Sequence, residues 1–113
     1  MKYIIAIIQP DRVDEVMQAL EDKQIHLVTV SNVLGRGRQK GVAEIYRSHK
    51  EVGSLLRKAK LEIAVNDEFV KVTIEAITGA ARTGNVGDGK VFVLDLKDVV
   101  RIRTNETGAV AVG

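Results

Sequence analysis

"AIIQPDRVDEVMQAL" (residues 6–20) and "IAVNDEFVKVTIEAI" (residues 63–77) repeat one pattern. Each starts in apolar, β-branched residues, crosses a polar break, opens acidic and continues as an apolar stripe. In the first copy Val13, Val16, Met17 and Leu20 fall at i, i+3, i+4 and i+7, which puts them on one face of a helix beginning near Asp11. In the second, Val70, Ile74, Ile77 and Ala81 line one face, with Asn66 placed to cap the helix. Two such strand–helix units in one short chain set the fold class.

The remaining elements follow outward. Residues 2–9 (KYIIAIIQ) read as a strand ended by Pro10, and residues 25–34 (IHLVTVSNVL) as a second. Residues 60–65 alternate, with Leu61, Ile63 and Val65 on one face. Residues 90–96 read as a fourth strand and 99–103 as a short fifth one, before a loose tail over about 105–113. The order βαββαβ predicts an α+β, ferredoxin-like sandwich in a single domain, 1–113, with both helices on one face of a four-stranded antiparallel sheet. The first strand is apolar on both sides, Ile4, Ala6 and Ile8 against Tyr3, Ile5 and Ile7. The face without helices therefore needs a cover, and self-association supplies one.

The chain has 113 residues and no cysteine, which excludes disulfides and thiolate metal sites. The apolar run from Tyr3 to Ile8 is too short for a signal-peptide core or a membrane span, and we expect a cytoplasmic protein with no direct membrane insertion. Two histidines far apart, His26 and His49, give no metal spacing. A net charge of +2 is unremarkable, but its distribution is not. Eight Lys/Arg against two acids lie between Arg36 and Lys60, in a glycine-containing segment with no sustained apolar period. It reads as a long flexible loop, about 36–57, either a solvated charged segment or a docking surface for phosphates or an acidic partner.

Residues 84–90, "GNVGDGK", nearly spell a Walker A loop. The next residue is Val91 where that motif needs Ser or Thr, and the segment leads from a helix into a strand, the reverse of a P-loop. Gly84 suits the position just past a helix end. "GDGK" by itself fits either an anion nest, whose glycines let backbone N–H groups converge beside Lys90, or a plain helix-to-strand connection. Arg101 and Arg103, two apart on the expected last strand, point to one side and could reach the same anion. Asp88 lacks a companion Ser or Cys nucleophile, so no enzyme constellation is formed.

Taken together, "GRGRQKG", "EIYR", "KLEI", "ARTGNVGDGKVFV" and "VVRIRT" resemble the nitrogen-regulatory PII signal-transduction proteins, in order and at the family's spacing from residue 1 to about 107. The resemblance implies a homotrimer that binds ATP or ADP between subunits, and 2-oxoglutarate beside a Mg2+ ion on ATP. It implies a protein target docked by the 36–57 loop. It makes Gly87, Asp88, Gly89 and Lys90 the phosphate turn, Arg101 and Arg103 phosphate contacts, and Ile7 a wall of the adenine pocket. Thr29 and Glu62 would lie near the nucleotide, and Gly35, Gly37 and Arg38 where the loop passes the phosphates. Gln39 would give Mg2+ an oxygen, and Lys58 would pair with a 2-oxoglutarate carboxylate, with Gly37 and Gly41 also at that subsite.

The chain departs from the family pattern at several points. Glu51 stands where many bacterial members carry a modifiable tyrosine, His49 where some cyanobacterial members carry a phosphorylated serine, Arg57 where a proline is usual, and Asn105 in place of a glycine. Glu51 offers no phenol to modify at that site, and the nucleotide residues stay in place. The alternatives are the same scaffold sensing another small anion or adenine nucleotide, an RNA-binding ferredoxin-like module, or a ferredoxin-like enzyme. Only four aromatic residues and no RNP-like run weigh against RNA, so no nucleic acid partner is expected.

Overall fold

Seven residues of alternating burial, Lys2–Ile8, form the central strand β1. A computed structural model of the chain describes residues 1–37 and 54–113. In it β1 pairs antiparallel with β3 (Leu56–Val65) on one side and β4 (Gly89–Asp95) on the other, and β3 pairs with β2 (Thr29–Gly35). The strand order is β2-β3-β1-β4, the ferredoxin-like order expected. Register follows from side-chain alternation. Ile4 lies opposite Ile63 and Val93, and Ala6 opposite Leu61 and Val91, so one face of β3, β1 and β4 is continuously apolar.

That face is covered by α1 (Val13–Asp22) and α2 (Val70–Ala81), each preceded by a single 3-10 turn, at Pro10–Arg12 and Asp67–Phe69. Val16 and Leu20 from α1, and Thr73, Ile77 and Ala81 from α2, join Ile4, Ala6, Ile8, Leu61 and Ile63 in the buried interior. Thr73 is tolerated there because its hydroxyl donates to the Phe69 carbonyl at 2.7 Å. Arg12 ties the helices together, its Nε and Nη2 donating to the Ala80 carbonyl at 3.0 and 2.6 Å, a cation on the otherwise unpaired end of α2.

Five expectations are corrected. The second strand starts at Thr29, not Ile25, because α1 ends in a Schellman motif with Gln24 at φ 62°. Ile25 N–H returns to Leu20 O at 2.9 Å and Gln24 N–H to Glu21 O at 2.9 Å, so the helix end, not a strand, carries Ile25 into the core. The third strand begins at Leu56, which takes residues from the expected loop. Asn66 does not cap α2, since its side-chain amide donates to the Ala109 carbonyl at 3.2 Å. Finally, the expected fifth strand is a tight turn. Val100 makes one bridge to Thr107, Arg101 N–H bonds Glu106 O at 2.9 Å, and Asn105 takes φ 61°. The tail expected to be loose forms a short helix, α3 (Ala109–Val112), with Ala111 buried.

The second sheet face carries no helix. On it three cross-strand rows lie side by side: Lys90–Ile7–Lys60–Ser31, Phe92–Ile5–Glu62–Thr29 and Leu94–Tyr3–Ala64. Phe92 is 47% exposed and Leu94 45%. This is the apolar surface for which a covering partner is expected.

Candidate functional site

The site is built where β4 begins. After Arg82 the chain passes through Gly84, Gly87 and Gly89, whose φ angles of 90°, 105° and 108° are closed to ordinary side chains. Asp88 braces this turn. Its carboxylate accepts the Thr83 hydroxyl, the Thr83 N–H at 2.8 Å and the Gly84 N–H at 2.9 Å. Those donors, the Thr83 hydroxyl foremost, hold its pKa below the ordinary carboxylate value. Thr83 Oγ1 in turn accepts the Asn85 N–H at 3.2 Å. Asp88 is thus occupied in shaping the turn.

Gly89 sets the close approach of that turn to β1. A Cβ there would sit 1.8 Å from the Ile7 carbonyl oxygen. With no side chain, the turn lies against the end of β1, and a cleft of about 460 Å3 opens between it, Ile7 and the start of the 36–57 segment. The size is that of an ordinary small-molecule site. Its walls are Ile7, Val86 and Phe92, and its charges are Arg36, Lys58 and Lys90, with no acid among the described residues of the lining.

Lys58 is the most constrained of the three cations. It is 7% exposed, and its ammonium reaches the Gly87 carbonyl at 3.4 Å, joining β3 to the turn. Burial pushes its pKa below the usual lysine value, because a charged ammonium with so few partners is costly. Among the described residues neither Lys90 nor Arg36 has an acidic partner. Three cations converging without a carboxylate is a donor set for phosphate or carboxylate oxygens. Among the described residues no group of three or more His, Asp or Glu is arranged to hold a metal ion.

The cleft gathers Ile7, Gly35, Gly37, Lys58, Gly87, Gly89 and Lys90 from the residues singled out in the sequence. Thr29 and Glu62 do not line it, but lie opposite each other in register on the open sheet face, in the row that Phe92 begins. Arg101 and Arg103 are not on a strand and do not meet this cleft within one chain. They follow the Asp95 end of β4, opposite Lys2, whereas Gly89 lies opposite Ile8. The seven residues of β1 separate the two ends by about 20 Å. Arg101 is held there by Glu106 at 2.7 Å and the Val110 carbonyl at 3.2 Å. Arg38, Gln39 and Gly41 lie outside the described residues, as do Tyr46, Ser48, His49, Glu51 and most of the 36–57 loop.

Sequence reasoning missed Arg36, Val86, Phe92 and Thr83. Arg36 stood in plain view between Gly35 and Gly37. Val86 and Phe92 are recognisable only once register places them beside Ile7. Thr83 could have been found as a hydroxyl five residues before an aspartate in a turn.

The family model "Nitrogen regulatory protein P-II" matches residues 1–106. The chain is 55% identical to nitrogen regulatory protein GlnK1 of Methanosarcina mazei, covering 99% of this chain and 97% of that one. It is 50% identical to nitrogen regulatory protein P-II 2 of Methanothermobacter thermautotrophicus, with the same shares covered. Among solved structures, Arabidopsis thaliana PII bound to citrate superposes with a TM-score of 0.80 at 37% identity, over 98% of this chain and 88% of that chain. PII proteins are trimeric regulators that bind effectors and target proteins, and they are not enzymes. No described helix is long and apolar enough to cross a membrane. The chain belongs to the PII family of nitrogen regulatory signal-transduction proteins.

Proposed function

We propose that the chain senses ATP or ADP together with 2-oxoglutarate, as a cytoplasmic homotrimer, and regulates a transporter or nitrogen-metabolism enzyme through its 36–57 loop. The observation that carries this reading is the cleft at the glycine turn, whose charged residues among those described are all cations. In it the Gly87–Lys90 backbone and Lys90 hold phosphate oxygens, and Ile7 packs against the adenine. Arg101 and Arg103 reach the phosphates from a second copy, since one chain keeps them at the far end of its sheet. Packing of the open faces in a trimer supplies that copy and buries Phe92 and Leu94.

Gln39 would give a hard oxygen to Mg2+ bound with ATP, and the ion would supply positive charge to offset the phosphates and one 2-oxoglutarate carboxylate. Lys58 neutralises the other carboxylate. Doing so exchanges its weak bond to Gly87 for an ion pair and relieves the cost of its burial. Because Lys58 lies just after the loop and Gly35–Gly37 just before it, effector binding at this cleft acts on both stems. Effectors that prefer one loop arrangement shift its population, with a coupling of about 1–3 kcal/mol typical of such switches.

The test is calorimetric titration of ATP with Mg2+, without and then with saturating 2-oxoglutarate. ATP affinity rising by about 5-fold or more supports a combined energy and nitrogen sensor. ATP binding indifferent to 2-oxoglutarate favours a second reading, the same scaffold tuned to another small anion. The solved relative's bound citrate is the observation behind that reading.

A further inference from the structure

We propose that Tyr3 is a positioning residue for nucleotide recognition: its hydroxyl fixes the Glu62 carboxylate so that one oxygen is aimed at a hydrogen-bond donor on the nucleoside half of the ligand. The inference rests on the reading of Glu62 as a nucleotide contact.

The two side chains lie on the helix-free face of the sheet. Glu62 is opposite Ile5, and Tyr3 is opposite Ala64, the next same-face position along β3. Tyr3 therefore reaches Glu62 on the diagonal, a reach that aromatic side chains make and shorter ones do not. Its hydroxyl donates to Glu62 Oε2. The other oxygen, Oε1, is 3.7 Å from the Lys60 ammonium, outside good hydrogen-bond distance. The carboxylate is thus held on one side and keeps an acceptor on the other. The Tyr3 pKa is raised, chiefly by this bond to Glu62, as expected of a phenol that stays protonated and donates.

The position of the pair indicates which part of a ligand it meets. Phe92, in the cleft wall, begins the row that runs through Ile5 to Glu62 and Thr29. The cationic end of the cleft, at Lys90 and Lys58, suits phosphates. A carboxylate further along the same face repels phosphates and accepts from a sugar hydroxyl or a base amino group. Without Tyr3 the carboxylate is free to rotate and to close on Lys60 in a surface ion pair. A phenylalanine keeps the ring on the sheet and deletes only the donor.

Calorimetric titrations compare ATP with inorganic tripolyphosphate, which lacks the nucleoside, for the native chain, Tyr3→Phe, Glu62→Gln and the double variant. Tyr3→Phe is expected to weaken ATP by about tenfold while leaving tripolyphosphate unchanged, the scale of one hydrogen bond to a charged group. In the Glu62→Gln background the same change should have no further effect on ATP. If Glu62→Gln weakens ATP but Tyr3→Phe does not, the positioning role is overturned and the nucleotide reading stands. Equal loss of ATP and tripolyphosphate in Tyr3→Phe, or equal loss in both backgrounds, shows a merely structural tyrosine and also overturns it. If Glu62→Gln leaves ATP unchanged, the reading of Glu62 fails and the inference with it.

Discussion

The two ends of the sheet are built on opposite principles. At the Lys2 end charges are matched: the N-terminal amine with Asp67 at 2.8 Å, Lys2 with Asp95, and Arg101 with Glu106 at 2.7 Å. There the turn over residues 100–107 and α3 close onto the sheet, and Asn66 bonds the Ala109 carbonyl. At the Ile8 end Arg36, Lys58 and Lys90 converge with no acid among the described residues of the cleft lining. A fold optimised only for stability would pair Lys58 or replace it, since buried unpaired charge is costly, and would gain nothing from setting exposed Arg36 and Lys90 beside it. One end is thus finished by the chain itself, and the other is left for an anion to complete.

The most damaging change on this account is Gly89→Ala. The added Cβ meets the Ile7 carbonyl oxygen at 1.8 Å, on a residue at φ 108°, so the turn must pull away from β1. We expect a loss of about 3 kcal/mol or more in urea unfolding, from strain and lost β1–β4 pairing, together with loss of nucleotide binding. A variant of native stability would show that the close approach is dispensable.

Lys90→Ala addresses charge alone. It should weaken ATP and ADP by about 10- to 100-fold with little change in melting temperature, because Lys90 makes no described ion pair to lose. Unchanged nucleotide binding would break the contrast between the two ends.

Acid provides a finer probe. The Asp88 pKa is lowered from 3.8 in the folded protein, so the stability that this carboxylate gives is fully present above about pH 4. It is lost as pH falls below that value through the folded pKa. Amide exchange at Thr83 and Gly84, whose N–H groups Asp88 accepts, should accelerate in that window relative to exchange along β1.

The smallest effect belongs to the matched end. Lys2→Ala removes one exposed pair with Asp95 and should leave both stability and nucleotide affinity close to native. A large loss of affinity there would contradict the separation of the two ends, by showing that a matched surface pair governs the cleft.

The sequence revealed most where periodicity was strong. The apolar stripes on α1 and α2 and the alternation of Leu61, Ile63 and Val65 on β3 fixed the layers, and the glycine spacing marked the turn. Local backbone chemistry hid the rest. Gln24 occupies a left-handed position usually given to glycine, so the end of α1 and the burial of Ile25 looked like strand. Asn105 does the same in the 101–106 turn, where Val99–Arg103 alternates as a strand would. It also explains how asparagine can replace a glycine there, because it tolerates positive φ. The site was half legible. Gly87, Gly89 and Lys90 lie together in sequence, whereas strand register is what brings Gly35, Arg36 and Lys58 to them.

The most direct test is a crystal structure of the chain grown with ATP and Mg2+. The account predicts three copies packed through their helix-free faces, with the triphosphate held between Gly87–Lys90 of one copy and Arg101 and Arg103 of the next. Phosphates bound away from the Gly87–Lys90 turn, or a nucleotide held by a single copy, would contradict it.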